Sequence, residues 1–178
     1  TSTITENLEF IIKKEYGLET CVLSIDDLYK TKSARIKMSK AIHPLFLTRG
    51  VPGTHDINLL NKIIKKLKKK NFKPVLIPRF DKSVDDRHKK IKWIKIKKPP
   101  KIIIFEGWCV GAKYQRETTL IKPLNLIESK HDAELKWRKK VNYYLKKNYK
   151  KLFNSLDKLI YLKAPSFNYI FKWRLLQE

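Results

Sequence analysis

Apolar residues recur along the chain in two rhythms, and those rhythms predict its elements. Ile4, Leu8, Ile11 and Ile12 fall at helical spacing, so Thr3 to Tyr16 reads as a helix with Gly17 as its stop. Thr20-Cys-Val-Leu-Ser-Ile25 is a short apolar run ending in Asp26-Asp27, the pattern of a buried strand with two carboxylates at its carboxyl end. Ser33 to Ile42 predicts a second helix. Beyond the loop Arg49-Gly-Val-Pro-Gly-Thr-His-Asp56 comes a third, with Leu59, Leu60, Ile63, Ile64 and Leu67 on its apolar face and Asp56 as its N-cap. Val75-Leu-Ile77 reads as a second buried strand, and Ile91 to Ile96 alternates apolar residues with Lys as a half-exposed edge segment does. Ile102-Ile-Ile-Phe105 is a third buried strand running into Glu106-Gly-Trp108. A long helix from about His131 to Leu156, a strand Leu159-Ile-Tyr-Leu162 and a last helix from Pro165 complete the series.

Buried strands alternating with amphipathic helices predict an α/β fold, a doubly wound parallel sheet with helices on both faces. Residues 1–178 read as a single domain without repeats or linkers. In such sheets ligands bind beyond the carboxyl ends of the strands. Three of the four predicted strands end there in polar clusters: Asp26-Asp27, the segment Arg79 to Arg87, and Glu106. One acidic pair would be an ordinary turn or cap. Three such ends with two acidic positions and several cations form a metal-and-anion site.

Net charge alone does not specify chemistry in this chain. The 178 residues carry 41 Lys+Arg against 17 Asp+Glu, a net charge of +24. Of the basic residues 34 are Lys, and 20 residues are Ile, a bias that AT-rich coding produces whatever the protein does. The Lys are spread over every predicted helix, so the expectation is a solvated coat with at most non-specific attraction to nucleic acid. Arg stands out where Lys was the easier choice, and four of the seven arginines, Arg49, Arg79, Arg87 and Arg174, fall in the segments named here. Cys21 and Cys109 match no metal or redox spacing and read as buried thiols of a reduced, cytoplasmic setting. No apolar run is long enough to span a bilayer, so no membrane association is expected.

Several segments resemble the D-glycerate 3-kinase family, within the P-loop kinases that include uridine, pantothenate and phosphoribulose kinases. They are Leu23-Ser-Ile-Asp-Asp-Leu-Tyr29, Thr48-Arg-Gly-Val-Pro-Gly-Thr-His-Asp56, Pro78-Arg-Phe-Asp-Lys-Ser-Val-Asp-Asp-Arg87 and Phe105-Glu-Gly-Trp-Cys-Val-Gly111. Pro123-Leu-Asn125, Trp137-Arg138, Val141-Asn142, Trp173-Arg174 and Gln177-Glu178 match as well, in the family's order. The resemblance implies a P-loop NTPase-like sheet and the use of ATP and Mg²⁺. One departure is plain: no G-x-x-x-x-G-K-[ST] occurs in the 178 residues. Thr1 falls where the hydroxyl residue after the loop Lys would stand, so the expectation is a chain incomplete at its N-terminus, lacking the first strand and the phosphate loop.

The same resemblance assigns roles. Asp26 matches the carboxylate that accepts the acceptor's hydroxyl proton, and with Glu106 and Thr1 it matches the metal site. Tyr29, Arg49, His55 and Asp56, with Arg79, Asp81, Lys82 and Arg87, match substrate-binding segments. Arg forks suit a carboxylate, and only Phe80 offers an aromatic face for a nucleobase. Thr1, Lys172 and Arg174 match nucleotide contacts. Trp108 and Trp173 are expected in packing. The implied activity is transfer of the ATP γ-phosphate to a small acid such as D-glycerate. The alternatives are a nucleoside or other small-metabolite kinase, or a non-catalytic basic protein that binds ATP or nucleic acid.

Overall fold

The computed structural model describes residues 2–176, without the side chains of Phe167 and Arg174. Helix α1 (Ser2–Tyr16) ends at Gly17, whose φ of +62° makes the left-handed stop. Strand β1 (Thr20–Ser24) buries Cys21 and Leu23 and then breaks into one 3₁₀ turn over Asp26–Leu28. Thr31 caps α2 (Lys32–Ala41) by accepting the Ala34 N–H. Helix α3 (Ile57–Leu67) buries Ile57, Leu60, Ile63 and Leu67 on the stripe the spacing predicts. Leu59 and Ile64 pack beside them. Each such burial contributes about 1.5–3 kcal/mol.

The sheet is less continuous than the sequence suggests. Strand β6 (Ile102–Glu106) pairs parallel with β1 in the register Thr20↔Ile102 to Ser24↔Glu106. Strand β2 (Val75–Ile77) does not join them; it pairs antiparallel with β5 (Ile94–Ile96). The reason lies at Leu76, which is 41% exposed between buried Val75 and Ile77. A strand wet on one face suits an antiparallel edge pair. Between these two lies a small hairpin of β3 (Phe80–Asp81) and β4 (Asp86–Arg87).

Two further expectations are corrected in the second half. The long helix starts at Lys136 rather than about His131, after a separate turn α4 (Leu126–His131). The break is built by Asp132, buried at 2% exposure, whose carboxylate accepts the N–H groups of Trp137 and Arg138 at 2.8 and 3.0 Å. It thus satisfies orphan donors at the start of α5 (Lys136–Tyr144), with Leu135 at φ +63° as the hinge. A π-helical segment, Leu145–Tyr149, then leads into α6 (Lys150–Phe153). Leu159 to Leu162 form no strand; they are 52–81% exposed, and no described strand lies alongside to supply a ladder. Helix α7 (Phe167–Leu175) begins two residues after Pro165. No described helix is long and apolar enough to cross a membrane.

The core joins Cys21, Leu23, Ile25 and Leu28 to the α3 face, Val75, Ile77, Cys109, Tyr149 and Leu152. Both cysteines are free, and burial pushes their thiols up to about 11 for Cys21 and about 12 for Cys109. They pack as expected of inert buried groups.

Candidate active site

The parallel pairing of β1 and β6 sets two carboxylates at one edge. Ser24 sits opposite Glu106, and one more ladder bond, Ile25 N–H to Glu106 O at 2.9 Å, carries the alignment past the strand end. Asp26 then lies in the first turn beyond it. The crossing is tight at Gly107, with φ +154°, where a Cβ would stand 2.2 Å from Ile25 Cγ2. Only glycine fits. Glu106 is 8% exposed, and Ser2 Oγ lies 3.5 Å from its Oε1, so the first turn of α1 meets the same strand end.

The β3–β4 hairpin closes over this edge. Lys82 Nζ donates to Asp26 Oδ2 at 3.1 Å. Asp27 turns aside and holds the hairpin, accepting Arg79 Nη1 at 2.8 Å and the Phe80 N–H at 3.0 Å. Burial is the largest influence on Asp27 and pushes its pKa up.

Residues 28–30 run beside 54–56, tied by Lys30 N–H to Thr54 O at 2.8 Å and Asp56 N–H to Leu28 O at 2.7 Å. That pairing stacks the Tyr29 ring on His55, centroids 4.5 Å apart, with the Phe80 ring edge-on to Tyr29. His55 is 2% exposed, and burial lowers its pKa to about 4. Its Nδ1 meets Tyr149 Oη at 2.8 Å. Arg87 Nη2 donates to Tyr29 O at 2.6 Å and faces the Asp56 carboxylate.

A buried arginine braces the whole arrangement. Arg35, with no exposed surface, donates to Lys30 O, Leu47 O and Asp85 O at 3.3, 2.7 and 2.6 Å and pairs with Asp85 Oδ2 at 2.9 Å. Arg49 bonds the other Asp85 oxygen, and both guanidinium groups lie over the Phe80 ring. Asp85 takes a left-handed φ of +56°. Burial pushes its pKa up, but the hydrogen bonds from Arg35 and Arg49 win and the net direction is down.

The fold therefore gathers Asp26, Tyr29, Arg49, His55, Asp56, Arg79, Lys82 and Arg87, with Glu106 beside Asp26. Asp81 is spent on its own turn, accepting the Ser83 N–H at 3.0 Å and facing His88 Nε2 at 3.6 Å. Lys172 is exposed on α7, and no hydrogen bond or ion pair joins it to the cluster. Thr1 and the Arg174 side chain lie outside the described residues. Trp108, expected in packing, is 64% exposed near this edge, and Trp173 is 51% exposed. The sequence reading missed Arg35, Asp85 and Tyr149. Arg35 had a usable signal: it is an arginine in a Lys-biased chain.

Oxygen donors in this number suit a divalent cation that keeps waters and phosphate oxygens as its other ligands. Asp26 and Glu106 fit Mg²⁺ in that way, and no cluster of three or more His, Cys, Asp or Glu able to hold a metal occurs among the described residues.

No protein-family model matches the chain. It is 33% identical over 163 residues to an uncharacterized kinase, mug58, of Schizosaccharomyces pombe, covering 87% of this chain and 57% of that protein. It is 26% identical to a chloroplastic D-glycerate 3-kinase of Arabidopsis thaliana, covering 99% of this chain and 38% of that one. A solved D-glycerate 3-kinase from Cryptococcus neoformans superposes with a TM-score of 0.85 at 29% identity, covering 99% of this chain and 65% of that one. The chain thus spans about half the length, or less, of the curated relatives it matches.

Proposed function

Because the chain belongs to the D-glycerate 3-kinase family of P-loop kinases, we propose that its site serves ATP-dependent phosphoryl transfer to the hydroxyl of a small acid, D-glycerate first among them. The observation that carries this reading is the pair of carboxylates, Asp26 and Glu106, on adjacent strand ends, with the first turn of α1 against Glu106 and Lys82 on Asp26.

In the reaction, the acceptor hydroxyl oxygen bonds to the γ-phosphorus as the bond to the β,γ-bridging oxygen breaks and ADP leaves. Asp26 takes the hydroxyl proton. Lys82 donates to its Oδ2 at 3.1 Å and so fixes the carboxylate at the strand end. Mg²⁺, bound with the nucleotide, would supply neutralisation of the charge that develops on the phosphate. Glu106 and Asp26 would hold it. Arg87 and Arg49 suit the substrate carboxylate, each already oriented by one acidic partner, Asp56 and Asp85. Arg79 is spent in part on Asp27, which leaves it the weaker candidate.

An acceptor panel with Mg-ATP, run on the protein as its intact reading frame encodes it, tests the reading. D-glycerate should outperform uridine and cytidine. A panel led by nucleosides would move the substrate to that class, and no acceptor at all would overturn the kinase reading.

A further inference from the structure

His55 carries a buried nitrogen without a partner among the described residues: Nε2 has no hydrogen-bond partner there, while Nδ1 meets Tyr149 Oη at 2.8 Å. Counting donors and acceptors decides which nitrogen bears the hydrogen. Tyr149 Oη receives the Gly53 N–H at 2.8 Å, so it is an acceptor there, and its own O–H still needs an acceptor. Tyr149 has no exposed surface, so bulk water cannot serve. His55 Nδ1 is the atom within reach. A hydrogen on Nδ1 would strand two buried groups, the Tyr149 O–H and the Nε2 lone pair. A hydrogen on Nε2 strands only the Nε2–H. A stranded buried group is costly enough to decide between them.

We infer that Tyr149 is a positioning residue that locks His55 as the Nε2–H tautomer, so that the imidazole presents a hydrogen-bond donor to an oxygen of the phosphoryl acceptor. The identity of that oxygen rests on the kinase reading; the tautomer does not. Three features support the direction. The ring is stacked on Tyr29, and the charges it senses are those of Asp26 and Lys30, at the reacting edge. A cavity of about 50 Å³ bordered by Lys30, His55, Asp56 and Tyr149 has room for a small oxygen-bearing group. Burial keeps the ring neutral, so the donor is retained across the physiological range. Tyr149 reaches the loop from 94 residues away, at the end of the π-helical segment. Gly53, which donates its N–H to Tyr149 Oη, lies at φ +109° against the Tyr144 ring, where a Cβ would fall 2.3 Å from that ring.

Long-range ¹H–¹⁵N correlation spectra of histidine-labelled chain read the tautomer directly, with His55→Gln identifying the resonance among the four histidines. The expected pattern is an unprotonated Nδ1 and a protonated Nε2, steady from about pH 6 to 8. In Tyr149→Phe the preference should collapse to a mixture. A wild-type Nδ1–H tautomer, or an unchanged preference in Tyr149→Phe, overturns the inference; should that variant not fold, the wild-type spectrum decides alone. Steady-state kinetics of the intact protein form the second arm. Tyr149→Phe should raise the acceptor KM about tenfold with the ATP KM unchanged, as expected for one lost hydrogen bond of about 1.4 kcal/mol. The expected tautomer with an unmoved acceptor KM overturns the ligand half of the inference. Wild-type protein that phosphorylates nothing counts against the kinase reading and leaves the tautomer result standing.

Discussion

Arg87 and Asp56 meet at a single oxygen: both terminal guanidinium nitrogens lie 3.4 Å from Asp56 Oδ2, while Oδ1 accepts the Leu59 N–H at 3.0 Å and caps α3. One carboxylate therefore starts a helix and orients a basic residue of the site. The two tasks separate by substitution. Asp56→Asn keeps a capping oxygen and loses the charge, whereas Asp56→Ala loses both. Asp56→Ala should be less stable than Asp56→Asn by about 1 kcal/mol, the usual worth of a cap. Asp56→Asn should fall below wild type by about 1 kcal/mol or less, since the ion pair is long and a third exposed. Urea midpoints at constant m-value read both differences. Equal stability of the two variants would remove the cap from the account.

Asp26 is placed to take a proton, and its removal should be felt in turnover rather than in nucleotide binding. Asp26→Asn in the intact protein should lower kcat by about 10²–10⁴-fold, the range of general-base contributions, with little change in the KM for ATP. A coupled ADP-release assay measures this. Activity within a few-fold of wild type would give the role to another group.

Arg35 and Arg49 share Asp85 but not their surroundings. The Arg35 side chain is 1% exposed and the Arg49 side chain 30%. Removing Arg35 strands three carbonyls and one side of Asp85 in the interior, and Arg35→Ala should cost about 3–5 kcal/mol. Arg49→Ala should cost about 1 kcal/mol or less in stability. Arg49→Lys, which keeps charge and loses the planar fork, should instead weaken acceptor use. Denaturant curves for the pair, with acceptor kinetics for the lysine variant, distinguish bracing from binding. A large stability loss in both alanine variants would make Arg49 a second brace.

Helices α1 and α3 were legible because each carries four or five apolar residues at helical spacing and a recognisable stop or cap. Strands β1 and β6 were legible for their length and their acidic ends. Val75-Leu-Ile77 was legible as a strand but its antiparallel partner was not, because three apolar residues have no period and cannot say whether one face or two is covered. The break before Lys136 was hidden for another reason: Asp132 looks like any surface acid until its carboxylate is seen under two backbone N–H groups. The site divides in the same way. Residues in contiguous motifs, such as Asp26 or Arg87, could be read from the chain. Arg35, Asp85 and Tyr149 act across separations of 36 to 96 residues, and only Arg35 carries a local sign, as an arginine in a Lys-biased chain.

The 178 residues hold no G-x-x-x-x-G-K-[ST], the sequence signature of the N–H cradle and lysine that grip β- and γ-phosphates. Attraction between this chain and ATP should come from its net charge of +24 and fade with salt. Calorimetry should find weak binding, indifferent to Mg²⁺, matched by RNA and lost at moderate ionic strength, and no kinase activity. Tight, Mg²⁺-dependent, salt-resistant binding would reveal a phosphate site elsewhere in the chain.

His55 makes the protein acid-sensitive above the range where carboxylates titrate. Burial lowers its pKa from 6.5 to about 4, so between those values the unfolded chain binds a proton that the folded chain refuses. Protonation thus favours unfolding, and stability falls as pH drops through 6.5 toward 4. Above 6.5 neither state holds the proton and His55 has no effect. Asp26 opposes the shift and Lys30 adds to it, and both are already within the lowered value. From pH 8 to pH 5 the loss from His55 should be about 2 kcal/mol. Asp85 and Asp132 have lowered pKa values, so their contributions are lost mainly at lower pH and are common to both proteins compared here. His55→Gln should therefore be less stable than wild type at pH 8, where the Tyr149 contact is missed, and should lose about 2 kcal/mol less on going to pH 5. Urea unfolding of the two proteins at pH 8, 6.5 and 5 gives the comparison. Parallel pH profiles would mean that the imidazole is solvated in the folded chain, and the tautomer lock would fall with it.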